Sequence, residues 1–202
     1  MDEYQLAALK VQRKMGTETF HENGRQLPHR LQDFWQWSSS DLTNNAMRGV
    51  LAEYLVALAL GLTDAPRVEW DPFDLETADG IKIEVKSAAY LQSWKQTRLS
   101  TISFQIGQTY GPDANTSEAE QRRQADIYVF CVLKHLDKRT LDPLNMDQWD
   151  FYLLPTSVLN EKKPTQKTIG LSTLLSLGPI KAEFRELSAT MMKMAPDITR
   201  TR

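Results

Sequence analysis

Two hydrophobic periods divide this 202-residue chain. Before residue 61 and again near the C-terminus, apolar residues recur at helical spacing; between them they alternate. Leu6, Leu9 and Val11 predict a first helix, and Pro28 opens a second through Leu31, Phe34, Trp35 and Trp37. The string His21-Glu-Asn-Gly24 reads as the break between them. Ser38 to Thr43 is rich in capping residues and starts a third helix over 44–60, with Gly61 as its stop. Strands are expected over 68–77, 81–89, 101–106, 126–136 and 149–154, the last closed by Pro155. Residues 107–124 combine Gly, Pro, Asp, Asn and Ser and read as a long mobile loop. A helical tail follows over 171–194. Helices, then strands, then helices describe an α/β fold with a helix-flanked mixed sheet.

Composition narrows the function. Formal net charge is -2, so the chain is no generic nucleic-acid binder, and any such contact needs a local basic patch. The one cysteine, Cys131, lies in an apolar run and reads as a buried structural thiol; no intrachain disulfide can form. The acidic, polar N-terminus shows no secretory signal, and the longest apolar stretch, 54–62, is too short to span a bilayer. These features read as a cytoplasmic protein with no membrane partner. His21, His29 and His135 are dispersed, and no catalytic Ser-His-Asp pattern, phosphate-binding loop, dinucleotide fingerprint, helix-turn-helix or zinc finger is visible.

The informative segment is Trp70 to Ser87. Ala78-Asp79-Gly80 suits a three-residue hairpin loop, with Gly80 where a left-handed residue is needed. Thr77 then pairs with Ile81, Leu75 faces Ile83, and Asp74 faces Glu84. Alternation puts Phe73, Leu75, Thr77, Ile81, Ile83 and Val85 on one, core-facing side. Asp74, Glu76, Lys82, Glu84 and Lys86 share the other. Adjacent carboxylates repel unless something compensates, and a divalent cation bound by oxygen ligands does so. The competing reading is a solvated charged face with Glu76–Lys82 and Glu84–Lys86 pairs.

Glu53 is the only charge in the helical stretch Gly49 to Gly61. A helix apolar all round is buried, and a buried carboxylate needs a partner. Glu53 therefore meets a solvent strip, pairs with a cation such as Arg48, or faces the carboxylate hairpin.

Glu53 on a helix, Asp74 on a strand and Glu84-Val85-Lys86 on the next together resemble the PD-(D/E)xK nuclease superfamily. The most similar strings are Arg48-Gly-Val-Leu-Ala-Glu-Tyr54 and Ile83-Glu-Val-Lys-Ser87. The family's Pro-Asp dipeptide is absent; the order here is Asp71-Pro-Phe-Asp74, and strand parity favours Asp74 over Asp71. The resemblance implies a restriction-endonuclease-like core within a single domain over 1–202, made of an N-terminal helical segment (1–40), the core (41–160) and a C-terminal helical segment (161–202). It further implies that Asp74, Glu84 and the Val85 carbonyl hold Mg²⁺, with Mn²⁺ as a substitute. Glu53 would reach the metal directly or through water, and Lys86 would orient the attacking water and stabilise the phosphate. The implied function is Mg²⁺-dependent DNA endonuclease activity of restriction or phage-defence type; the alternative is a catalytically silent nuclease-fold module for nucleic-acid binding or interaction. Gln92, Gln105, Arg122 and Arg123 are candidates for substrate contact. DNA is the expected partner, and cutting both strands at one site would call for a homodimer.

Overall fold

The structure, a computed structural model, describes residues 9–69, 71–110 and 121–199. These fall into two compact units: the chain through Ser40 with Asp64–Arg67, and Asp41–Thr63 with the chain from Val68 onward.

In the first unit, strands β1 (Thr19–Glu22) and β2 (Arg25–Arg30) form an antiparallel ribbon, followed by helix α1 (Leu31–Ser39). This corrects the expected N-terminal helical segment, whose residues 2–8 lie outside the described residues. Asn23 and Gly24 both have positive φ, 49° and 77°. An Asn-Gly pair in that conformation matches the twist of a two-residue hairpin. Pro28 therefore sits inside β2, and α1 begins three residues later. There Asp33 Oδ2 accepts a hydrogen bond from the Arg30 amide at 2.7 Å.

The second unit opens with α2 (Asn45–Leu60). The Asn44 side chain accepts from the Met47 amide, and Gly61, at φ 71°, ends the helix in the left-handed conformation expected of it. There follow β3 (Leu75–Glu76), β4 (Lys82–Ala89), β5 (Ser103–Gln105), β6 (Ile127–Leu133), β7 (Trp149–Pro155), α3 (Thr156–Lys162), β8 (Thr168–Gly170), α4 (Leu171–Ser176), β9 (Ile180–Ala182) and α5 (Leu187–Thr199). A five-stranded sheet has the order β3-β4-β6-β7-β9. The β4–β6 pair is parallel and the others are antiparallel, so the fold is α/β with a central mixed sheet flanked by helices.

Three expectations change. The strand expected over 68–77 contracts to Leu75–Glu76. The strand expected over 101–106 pairs with β8 in a separate two-stranded ribbon instead of joining the central sheet. The C-terminal segment is not purely helical: β8 precedes α4, and β9 separates α4 from α5. Strands this short carry too few residues to show a period.

Two cores sandwich the sheet. Ile83, Val85, Val129 and Cys131 meet α2 and α5 on one face. Tyr128, Phe130 and Val132 meet β5, α3 and α4 on the other, where Phe104 and Phe130 form an edge-on ring pair at 5.0 Å. All seven β6 residues are buried, and a fully buried Val, Leu, Ile or Phe side chain contributes about 1.5–3 kcal/mol. Burial pushes the Cys131 thiol pKa up, consistent with an inert core thiol. No helix among the described residues is long and apolar enough to cross a membrane.

Candidate active site

The 78–80 turn sets the geometry. Gly80 has φ 77°, and the Thr77 amide donates to the Ile81 carbonyl at 3.0 Å. Leu75 pairs with Ile83 and Glu76 with Lys82, the register counted from sequence. One residue further back the ladder turns irregular: the Asp74 amide donates to the Ile83 carbonyl at 3.0 Å. Asp74 Oδ2 then accepts from the Val85 amide at 2.6 Å. The carboxylate thus takes a backbone donor of β4 just before β3 begins, which ties Asp74 to the Glu84-Val85-Lys86 backbone.

Alternation along β4 holds. Ile81, Ile83 and Val85 are buried against the α2 layer, while Glu84 and Lys86 are half-buried on the opposite face. There Glu84 lies beside Tyr128 and Lys86 beside Phe130 in parallel register. Lys86 Nζ donates to Glu84 Oε1, so the ion pair of the competing reading is also present.

Electrostatically, Asp74 is the distinctive group. Its pKa rises to about 7, chiefly through burial and next through the Glu84 carboxylate. The hydrogen bond from Val85 opposes the rise, Glu53 adds to it, and Lys86 opposes it. Glu53 on α2 is therefore near enough to act on Asp74. Arg48 is committed elsewhere: its guanidinium donates to the Thr43 carbonyl, Asn45 Oδ1 and Gln92 Oε1. Among the described residues, no three Asp, Glu, His or Cys side chains gather into one metal-binding cluster. Glu53, Glu84 and Lys86 thus all lie near enough to act on Asp74, and Glu84 is turned onto Lys86.

Glu84 and Lys86 open into a cleft of about 180 Å³ whose rim includes Gln105 and Gln108. Gln105 is exposed on β5. A wider depression of about 470 Å³, lined by Lys82, Arg122 and Asp126, shares Gln124 with the cleft. Arg122 is exposed there, its backbone bridged to Thr109.

Two candidates for substrate contact are interior instead. Arg123 is only 6% exposed. It donates to the Ile106, Lys163 and Gln166 carbonyls and to Asn160 Oδ1, clamping β5, α3 and the α3–β8 connection together. Gln92 is buried, with its amide on the Ala89 carbonyl and Ser100 Oγ and its carbonyl on Arg48. Residues 111–120 of the expected mobile loop lie outside the described residues.

Sequence reasoning missed Tyr128. It is buried, lines the cleft, and has its phenol pKa raised by burial and then by Glu84. Its signal was present: Tyr128 is the polar-tipped residue of an otherwise aliphatic and aromatic strand, on the parity that faces Glu84 once β4 and β6 pair. Asp126 was missed too. Its Oδ2 accepts from the Lys82 amide at 2.8 Å and secures the start of β4.

No curated protein matches the chain. A family model described as bacteriophage T4 endonuclease IV matches residues 7–173, a span that includes Glu53, Asp74, Glu84, Lys86 and the whole cleft. The chain belongs to the bacteriophage T4 endonuclease IV family, a family of nucleases.

Proposed function

We propose that this protein is a metal-dependent DNA endonuclease of the PD-(D/E)xK type, with a restriction-endonuclease-like core and its centre at Asp74, Glu84, Lys86 and Glu53. The observation that carries the reading is Asp74: a half-buried carboxylate pushed to about 7 by burial and two neighbouring acids and held on the Val85 amide, between Glu84 and Lys86, which line an open cleft. The donor chemistry fits Mg²⁺, a hard cation that takes carboxylate and carbonyl oxygens and keeps several waters. Asp74, Glu84 and the Val85 carbonyl would hold it, with Glu53 reaching it directly or through water, and Mn²⁺ could substitute. When bound, the ion lowers the pKa of a ligated water and neutralises charge on the phosphodiester.

The chain's own groups do the rest. The Val85 amide fixes the orientation of Asp74. Lys86 moves from Glu84 to the attacking water and a phosphate oxygen, orienting one and stabilising charge on the other. A compact ammonium suits that double task. Tyr128 stays a neutral phenol, a hydrogen-bond donor in the cleft wall. Gln105 at the cleft rim and Arg122 in the adjoining depression, both exposed, contact the sugar–phosphate backbone.

The test is cleavage of supercoiled and linear single-stranded DNA with Mg²⁺ or Mn²⁺, beside Asp74→Ala and Lys86→Ala. Metal-dependent cutting lost in both variants is expected. DNA binding without cutting under any metal would establish the silent module instead.

A further inference from the structure

Between Glu84 and Asp113 the chain contains no Asp or Glu, although it has 26 such residues in 202. The same stretch holds Lys86, Lys95 and Arg98. It forms the second half of β4, the 91–101 loop and β5, ending at the cleft. Two features set the loop apart from an ordinary solvated connection.

First, it is held from within. The Gln92 amide donates to Gln96 Oε1 at 2.7 Å, and the Gln96 side chain donates to the Tyr90 and Arg98 carbonyls and to Ser100 Oγ. Arg48 at the start of α2 grips Gln92 from outside the loop. Lys138, beyond β6, donates to the Trp94 carbonyl. Asp41, which also reaches Ser93, is occupied by Thr43 and Asn44.

Second, the loop displays an aromatic side chain to solvent. Trp94 is 53% exposed, beside exposed Lys95 and Arg98. A rigid frame presenting a tryptophan among cations matches how proteins hold unstacked nucleobases: the ring stacks and the cations follow the backbone.

β5 joins this platform to the cleft. Ile102, Phe104 and Ile106 point into the core. Thr101, Ser103 and Gln105 are exposed, and Gln105 lines the cleft beside Glu84 and Lys86. The exposed strip from Thr101 to Gln105 spans about 13 Å, on the order of four stacked nucleotide steps. Building on the endonuclease reading, we infer that the 91–101 loop and the outer edge of β5 form the track along which a nucleic-acid strand approaches the Glu84–Lys86 cleft, with Trp94 stacking on one of its bases.

The experiment uses the full chain carrying Asp74→Asn, with metal chelated so that binding is read without cutting, and a fluorescein-labelled 12-nucleotide DNA strand. Wild-type cleavage of the same strand with Mg²⁺ runs in parallel. Trp94→Ala should weaken binding roughly ten- to a hundredfold, and Trp94→Phe should restore most of it, because stacking needs a ring rather than an indole. Replacing Lys95 and Arg98 by Ala should reduce the salt dependence of log Kd by about 1.4, the loss of two contacts to a single strand. The strand should quench tryptophan fluorescence in the Asp74→Asn protein but hardly at all when Trp94→Phe is added. Unchanged affinity and unchanged quenching in the Trp94 variants, with wild-type cleavage intact, would overturn the track and leave the endonuclease standing. Failure of the wild type to bind or cut the strand would overturn both.

Discussion

β4 and β6 lie side by side, parallel and in register from Ile83–Ile127 to Ala89–Leu133, yet they obey different rules. β6 buries every residue. β4 buries Ile83 and Val85 but leaves Glu84 and Lys86 half-buried opposite Tyr128 and Phe130. The difference lies in what covers each strand. α2 and α5 cover one face of both. On the other face the β5, α3 and α4 layer closes over Phe130 and reaches β4 at Ala88, while Glu84 and Lys86 open into the cleft. A charged pair persists in β4 because the second layer stops short of it and water reaches it through the cleft. The same charges moved one strand inward would be buried at several kcal/mol each.

The largest expected effect separates the strands by what they lose. Lys86→Ala should cut DNA cleavage about 10²–10⁴-fold at a stability cost of about 1–2 kcal/mol, since water still reaches the Lys86–Glu84 pair, whose side chains are 27% and 18% exposed. Phe130→Ala, its register partner, should do the reverse, destabilising the fold by about 3–5 kcal/mol in urea titration. Activity measured well below its lowered midpoint should be largely kept. If Lys86→Ala instead unfolds the protein, the β4 pair is structural and the contrast collapses.

A middle-sized effect tests the electrostatics. The folded-state pKa of Asp74, about 7, lies above the ordinary carboxylate value. Between those values the folded chain binds a proton that the unfolded chain has lost, so metal-free stability falls as pH rises from about 4 to 7. This contribution amounts to about 2–4 kcal/mol. Asp74→Asn keeps an oxygen that can accept from the Val85 amide but cannot ionise, so its stability should lose that part of the pH dependence. Paired urea titrations at pH 4.5 and 7.5, with metal chelated, read the difference. Equal pH dependence in both proteins would mean that Asp74 is not held among its neighbours as described.

How much of this was legible follows the same physics. The carboxylate hairpin could be read because a turn with a well-placed glycine and five alternating apolar residues, Phe73, Leu75, Ile81, Ile83 and Val85, specify one register. α2 could be read because Asn44 and Gly61 bracket an apolar run. The β1–β2 ribbon was misread as helix because it buries almost nothing, so no two-residue period marks it; Asn23-Gly24 was the signal that counted. Arg123 could not be told from Arg122 by sequence, because their difference is made by the carbonyls of Ile106, Lys163 and Gln166, gathered from distant segments. The irregular step at Asp74 was equally hidden. Alternation placed it opposite Glu84, but its hold on the Val85 amide depends on where β3 begins.

The smallest effect asks what keeps that step in place. Gly80 has φ 77°, and an added Cβ would meet nothing closer than Glu76 Oε1 at 3.8 Å, an ordinary contact. Gly80→Ala therefore carries only the conformational cost of a left-handed alanine, about 1 kcal/mol. Gly61→Ala, at φ 71° with nothing within 4 Å, carries the same cost at the end of α2 and serves as the control. Both should lower stability alike. If the bond from the Val85 amide to Asp74 and the Leu75–Ile83 pairing hold the register, Gly80→Ala should cleave DNA as well as Gly61→Ala does. If Gly80→Ala alone loses cleavage at matched stability, the turn is what keeps Asp74 beside Glu84. A slip of one residue there would send every β3 side chain to the wrong face and take Asp74 away from the centre.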